Sequence, residues 1–213
     1  MIEKTISTET ARRLYDWLGR KHDVGERYER LAKERGLALL DLAPGQAVLN
    51  VGVGTGKEQQ VLETAVSPHG LPVALDISRK MLQITRERTT HTCLCEADIH
   101  ALPFASASFD RLFCTYVLDL IPLADLPGIL GEFHRVLRRD GRMTLVSLTE
   151  GVDRSSRLVV GVWTAVYQIS PVACGGCRPL HMGEMVKQAG FRNVTREVVV
   201  QMGVPSEVVT AVA

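Results

Sequence analysis

The sequence predicts an α/β fold, a doubly wound and mostly parallel seven-stranded sheet that ends in an antiparallel hairpin. Three observations carry this. From residue 47 to residue 150, apolar runs of strand length alternate with amphipathic segments of helix length, the pattern of a parallel sheet covered on both faces. The first run, VLNVGVGTG from Val48 to Gly56, ends in three glycines at alternate positions. The last two apolar runs, 193–201 and 207–212, are separated by a short turn, which suits a hairpin and leaves no room for a crossover helix.

Taken in order, residues 7–36 read as a charge-rich helix with Leu14, Trp17 and Leu18 as its apolar face. Pro44-Gly45 punctuates the entry into the first strand, 47–51, and a helix follows at 57–65. The run 71–77 holds the second strand, Val73 to Asp76, with a helix at 78–88 and the third strand at 92–96. Residues 109–116 form the fourth strand, 125–137 its crossover helix and 142–149 the fifth strand. A helix at 181–189 leads into the hairpin. Between them lies RLVVGVWTAVYQISPVA, residues 157–173, which is apolar on nearly every side of a helix. Such a helix is buried, meets another subunit, or lines an apolar cavity.

Composition bounds the function. The chain has 213 residues, 46% of them hydrophobic, which suits a globular domain with a full core. A net charge of +1 without basic runs disfavours nucleic acid as a partner. The start, MIEKTISTET, lacks the apolar segment of a signal peptide, and no charge-free stretch is long enough to span a bilayer, so a cytoplasmic location is expected. Five cysteines fit reduced thiols. Cys93 and Cys95 with the CxxC of Cys174 and Cys177 make a four-thiolate zinc site conceivable, but ordinary buried or turn cysteines are the expected outcome and no metal site is assigned.

Gly52, Gly54 and Gly56 let the chain turn sharply out of a buried strand and set bare backbone against a ligand. Lys57 stands where a dinucleotide fingerprint needs its third glycine. Glu58 and Val51 stand where a phosphate-binding P-loop needs a hydroxyl and a glycine. Both signatures fail, leaving GxGxG at a strand end. Asp76 closes the second strand 20 residues after Gly56, where an acid accepts hydrogen bonds from ribose hydroxyls or caps the helix that starts at Ser78.

Val48 to Gly56, Asp76, EADIHALPFASASFD (96–110), LFCTYVLDLIP (112–122) and FHRVLRRDGRMTL (133–145) together resemble the successive motifs of class I S-adenosylmethionine-dependent methyltransferases. Within that superfamily the text is most similar to the ubiquinone and menaquinone biosynthesis methyltransferases and the small phospholipid N-methyltransferases. The resemblance implies a Rossmann-like fold, S-adenosyl-L-methionine as cofactor, and a small lipophilic acceptor such as a quinol or phospholipid. It implies that Gly52, Gly54 and Gly56 pack against the cofactor, that Asp76 with Ile77 holds the ribose, that Asp98 and the Ile99 amide read adenine, and that Thr115 lies beside them. Asn50 replaces the usual acid at the methionine end, keeping a carbonyl acceptor and losing the charge. The acceptor is expected near Tyr116 and Asp119, with Trp163 and Tyr167, four apart, as an apolar wall. His100, His134 and His181 are base candidates by residue type alone, and no catalytic residue is assigned.

The whole chain is then read as one domain: a helical lid over 1–44, a cofactor-binding core over 45–150, a substrate-side insertion over 151–180, and a closing helix and hairpin over 181–213. The lid carries Tyr15-Asp16, and at a second such site His22 precedes Asp23 where the family has tyrosine. No transmembrane segment is expected, peripheral membrane contact is compatible with the sequence, and the oligomeric state stays open. Two other functions stay open beside it. A catalytically silent cofactor-binding module would tolerate Asn50 and His22, and a nicotinamide-dependent oxidoreductase would share the fold while lacking its glycine spacing.

Overall fold

The computed structural model describes residues 5–213. Seven strands form one sheet in the order β3-β2-β1-β4-β5-β7-β6. They are β1 (Ala47–Val51), β2 (Leu71–Asp76), β3 (Cys93–Glu96), β4 (Phe109–Thr115), β5 (Leu137–Leu148), β6 (Arg192–Gln201) and β7 (Val204–Val212). β1 to β5 are parallel, and β7 runs antiparallel between β5 and β6. This is the expected mostly parallel sheet with its closing hairpin. The strand order reverses between β1 and β4, and the carboxyl ends there form the crevice in which such sheets take ligands.

The helices are α1 (Thr8–Leu18), α2 (Glu26–Leu40), α3 (Lys57–Val66), α4 (Arg79–Arg88), α5 (Leu126–Val136), α6 (Arg154–Ile169) and α7 (Gly183–Gln188). The helix expected over 7–36 is broken. Gly19, at φ 48° and ψ −130°, ends α1, and a 3-10 segment from Gly19 to Gly25 turns the chain into α2. Local propensity for charged helix formers hides such a break. α2 then runs past Gly36, because a Cβ at that glycine would sit 2.9 Å from Val146 Cγ2 and 3.2 Å from Phe113. Gly36 lets α2 lie close on the sheet. β5 begins five residues earlier than expected, at Leu137, which pairs with Phe109.

β1 is buried throughout, as a central strand must be. Its side chains alternate: Leu49 and Val51 join the core under α5 and α7, while Val48 faces Leu40, Leu62 and Val66 of α2 and α3. Caps fix two further ends. Ser78 Oγ accepts from Met81 N at the start of α4, and Asp153 with Ser156 forms a capping box at the start of α6. Of the outcomes open to the apolar stretch 157–173, full burial is not met: α6 buries Tyr167 and exposes Leu158 by 71% and Ile169 by 85%.

Candidate functional site

At the carboxyl ends of the central strands lies a cavity of about 480 Å³. Its walls join the glycine loop, the end of β2 at Asp76 and Ile77, the turn of Asp98 and Ile99, and the end of β4 at Thr115 and Tyr116. The amino-terminal segment roofs it with Ile6, Ala11, Tyr15 and His22.

The glycine loop is shaped by its dihedrals. Gly52, Gly54 and Gly56 have φ of 71°, 55° and 81°, the left-handed region that glycine enters without penalty. Gly52 N and Val53 N both donate to Leu75 O, at 2.8 and 3.0 Å, tying the loop to β2. Gly54 N donates to Asp76 Oδ2 at 2.9 Å and Ser78 N to Asp76 Oδ1 at 2.9 Å. A carboxylate has about four lone-pair positions, so two amides leave acceptor capacity directed at the cavity. Burial raises the Asp76 carboxyl to about 6, against the Ser78, Gly54 and Ile77 amides that lower it. The helix-capping alternative for Asp76 gives way here, since Ser78 itself caps α4.

The structure brings Gly52, Gly54, Asp76, Ile77, Asp98, Ile99, Thr115 and Tyr116 to one cavity. Gly56, Asn50 and Asp119 are not on its wall. A Cβ on Gly56 would lie 2.7 Å from Thr85 Oγ1 and 2.9 Å from its Cα, so this glycine lets α4 approach the loop. Asn50 shares the β1 face of Val48 and is 2% exposed. Asp119 is fully buried beside β5, its Oδ2 accepting from Leu148 N at 3.3 Å, while Oδ1 finds no partner among the described residues. Burial holds its carboxyl at about 7, with the Leu148 bond opposing. Because this folded value lies above that of the unfolded chain, Asp119 destabilises the fold as pH rises from about 4 to about 7. Asp119→Asn should therefore raise the melting temperature at pH 8 more than at pH 5, read by calorimetry at both.

Trp163 and Tyr167 also lie off the cavity wall, a correction to the apolar-wall expectation. Trp163 Nε1 donates to Cys177 O at 2.8 Å and Tyr167 OH to Gly176 O at 3.2 Å, so both face the 174–177 turn. That turn backs the cavity: a Cβ on Gly176 would meet Ile6 at 2.6 Å and Leu120 at 2.9 Å, both wall residues. The pair shores up the wall from behind. Tyr167→Phe should cost about 1 kcal/mol in urea unfolding through the lost hydrogen bond, with ligand binding little changed.

Asp98 Oδ1 accepts from His100 N at 2.9 Å and lies 2.5 Å from His100 Nδ1, which fixes the turn of residues 98–100. His100 is thus the one of the three base candidates on the cavity wall. His134 stacks edge-on with Phe191, and His181 pairs with Glu150 at 3.3 Å.

Sequence reasoning missed the buried charge cluster. Lys33, 5% exposed, places Nζ 3.1 Å from Glu29 and 3.4 Å from Glu58, and 5.7 Å from the centre of the Tyr116 ring. All four line the cavity. Glu29 and Lys33 are an i,i+4 pair on a charged helix, indistinguishable in the sequence from a solvated face. His22, also on the wall, is held below its ordinary pKa by burial, with the Glu29 charge opposing, so it is neutral near pH 7.

Two lid acids latch the roof. Asp16 accepts from Ser78 Oγ at 2.6 Å and from Lys80 N at 3.3 Å. Asp23 accepts from Thr55 Oγ1 at 2.5 Å and from Arg88 Nη2 at 2.7 Å. Burial would raise the Asp23 carboxyl, but these two bonds outweigh it and hold it low. Asp23→Ala should loosen lid docking by about 1 to 2 kcal/mol, seen as faster amide exchange over residues 8–25 with β1 unchanged.

The cysteines are free, and Cys174 Sγ lies 3.7 Å from Trp163 O. Among the described residues, no group of three or more His, Cys, Asp or Glu is placed to hold a metal ion, and no helix is long and apolar enough to cross a membrane.

Residues 49–145 match a family described as a methyltransferase domain. The chain is 37% identical over 157 residues to a malonyl-[acyl-carrier protein] O-methyltransferase of Erwinia pyrifoliae, covering 72% of this chain and 57% of that protein. It is 31% identical over 143 residues to a demethylmenaquinone methyltransferase of Thermotoga maritima, covering 65% of this chain and 61% of the relative. The chain thus spans less than two thirds of the length of either. A crystal structure of a SAM-dependent methyltransferase from Aquifex aeolicus superposes with a TM-score of 0.64 at 19% identity, over 97% of this chain and 98% of the other. That likeness is one of fold.

Proposed function

We propose that the chain, whose residues 49–145 match a methyltransferase-domain family, is an S-adenosyl-L-methionine-dependent methyltransferase acting on a small, lipophilic acceptor. The observation that carries this reading is the convergence of the glycine loop, Asp76, Asp98-Ile99 and Thr115-Tyr116 on one roofed cavity. The residues fit the cofactor. Asp76 keeps acceptor capacity for a ribose diol, and the left-handed glycine loop offers close backbone approach.

When bound, the cofactor supplies a methyl group already activated by its positively charged sulfur. The protein's task is then to hold an acceptor in line and to exclude water. Thr115 and Tyr116 at the end of β4 would position the acceptor, and Tyr15 with His22 would close over it. Tyr116 is held rigidly for this, with φ at 53° and its hydroxyl 2.6 Å from Ser206 Oγ. His22, neutral at pH 7, is able to take a proton from an acceptor that carries one, and Glu29 would stabilise the imidazolium so formed. Lys33 and the first turn of α3 would meet the carboxylate of the methionine end.

The names of the relatives favour either a quinol ring or a carboxyl group carried on an acyl chain, and both are lipophilic acceptors with an ionisable oxygen or carbon nucleophile. Label transfer from methyl-labelled S-adenosyl-L-methionine tests the reading, with extracted quinols, phospholipids and acyl acids as acceptors. Transfer to one class is expected. Tight cofactor binding with no transfer to any of them would favour the silent module, and NADH binding in its place would end the reading.

A further inference from the structure

We infer that the exposed side of α6 docks the protein onto an anionic lipid surface. Leu158, Val162 and Ile169 are exposed by 71%, 59% and 85%, at i, i+4 and i+11 on one helix, so they form a single stripe. The apolar surface continues sideways. A Cβ on Gly203 would lie 2.9 Å from Val159 Cγ2, so the β6–β7 turn rests on α6, and its Met202 is 69% exposed. On the turn's other side, Gln201 Oε1 accepts from Leu31 N at 2.8 Å, adding the exposed Leu31 of α2. An apolar band that crosses three elements is larger than the scattered leucines of an ordinary surface.

Charge decides what covers it. From Asp153 to Gly176 the chain carries two arginines, Arg154 and Arg157, and one acid, Asp153, whose carboxylate is engaged in the α6 capping box. Both arginines are exposed at the stripe's amino-terminal end. A second copy pairing α6 against α6 would set arginine against arginine when parallel, or arginine against the acid-free Ile169 end when antiparallel. Neither arrangement neutralises them. Lipid phosphates do, with the arginine stems lying along the apolar stripe and their heads at the headgroup level. The buried side of α6 holds the turn whose Gly175 O accepts from Tyr15 OH of the lid at 3.3 Å, so the docking face backs directly onto the acceptor side of the cavity. The inference rests on the surface alone and stands whether or not the cavity binds S-adenosyl-L-methionine.

Flotation with vesicles tests it, using the full chain at low ionic strength. Vesicles of equal parts phosphatidylglycerol and phosphatidylcholine should carry the protein up, and pure phosphatidylcholine vesicles should not. Raised salt should reverse the binding. Arg154→Gln with Arg157→Gln should reduce partitioning roughly fivefold for each arginine removed, and Leu158→Ser with Ile169→Ser should abolish it with the circular dichroism spectrum unchanged. Should the leucine and isoleucine pair fail to fold, the arginine pair decides by itself. Failure of the wild type to float, equal partitioning of variant and wild type, or a concentration-dependent dimer that Leu158→Ser with Ile169→Ser dissolves would each overturn the assignment.

Discussion

Asp76→Ala is expected to weaken S-adenosyl-L-methionine binding by about 2 to 4 kcal/mol, because two hydrogen bonds to an ionised acceptor are each worth roughly 1.5 to 3 kcal/mol and add imperfectly. Titration calorimetry would show a loss of roughly thirty- to thousandfold. The wild type carries its own pH signature. Its carboxyl has a folded value of about 6, above the ordinary 3.8, so the free protein binds this proton more tightly than the unfolded chain does. Its stability falls as pH rises from about 4 to 6, by up to roughly 3 kcal/mol from this group. Ribose hydroxyls donate to the ionised form, so cofactor affinity runs the other way. It should be flat above about pH 6 and fall towards tenfold per unit below it. Affinity independent of pH between 5 and 8 would mean that Asp76 does not face the ligand.

Gly52→Ala should cost about 2 to 5 kcal/mol of stability, the sum of roughly 1 to 2 for a side chain in the left-handed region and 1 to 3 for overpacking. The new Cβ would lie 2.1 Å from Val117 Cγ2, and Val117 is packed against the core under α5. Gly54→Ala separates the two causes. Its φ is 55° but no atom lies within 4 Å of the added Cβ, so it should cost only about 1 to 2 kcal/mol, the conformational part alone. Urea unfolding of both variants measures the difference. If Gly54→Ala nonetheless binds S-adenosyl-L-methionine as well as the wild type, the open space over Gly54 is not where the cofactor backbone contact is made.

The sequence determined the sheet. Apolar runs of strand length, their alternation with amphipathic segments, and a glycine turn at the end of the first strand are local signals, since each depends on what lies within a few residues. The same holds for Asp76 and for Asp98-Ile99, whose places follow from being at strand ends. The lid break at Gly19 was readable in principle from paired glycines at 19 and 25, yet the charged helix formers around them mask it. Only the tertiary structure decided the rest. Lys33 is solvated or buried depending on whether α2 turns that face to the cavity, and that rests on Gly36 meeting Val146 and Phe113 of strands more than 70 residues away. Trp163 and Tyr167 share a helix face with each other in any reading, but which neighbour that face meets is a matter of packing, and it meets the 174–177 turn. Asp119 stands three residues after the cavity-lining Tyr116 and still points into the core, because the 3-10 turn at 118–120 reverses its direction. Periodicity specifies which residues lie together on a face, and the burial of that face against a distant element is fixed only when the chain closes on itself.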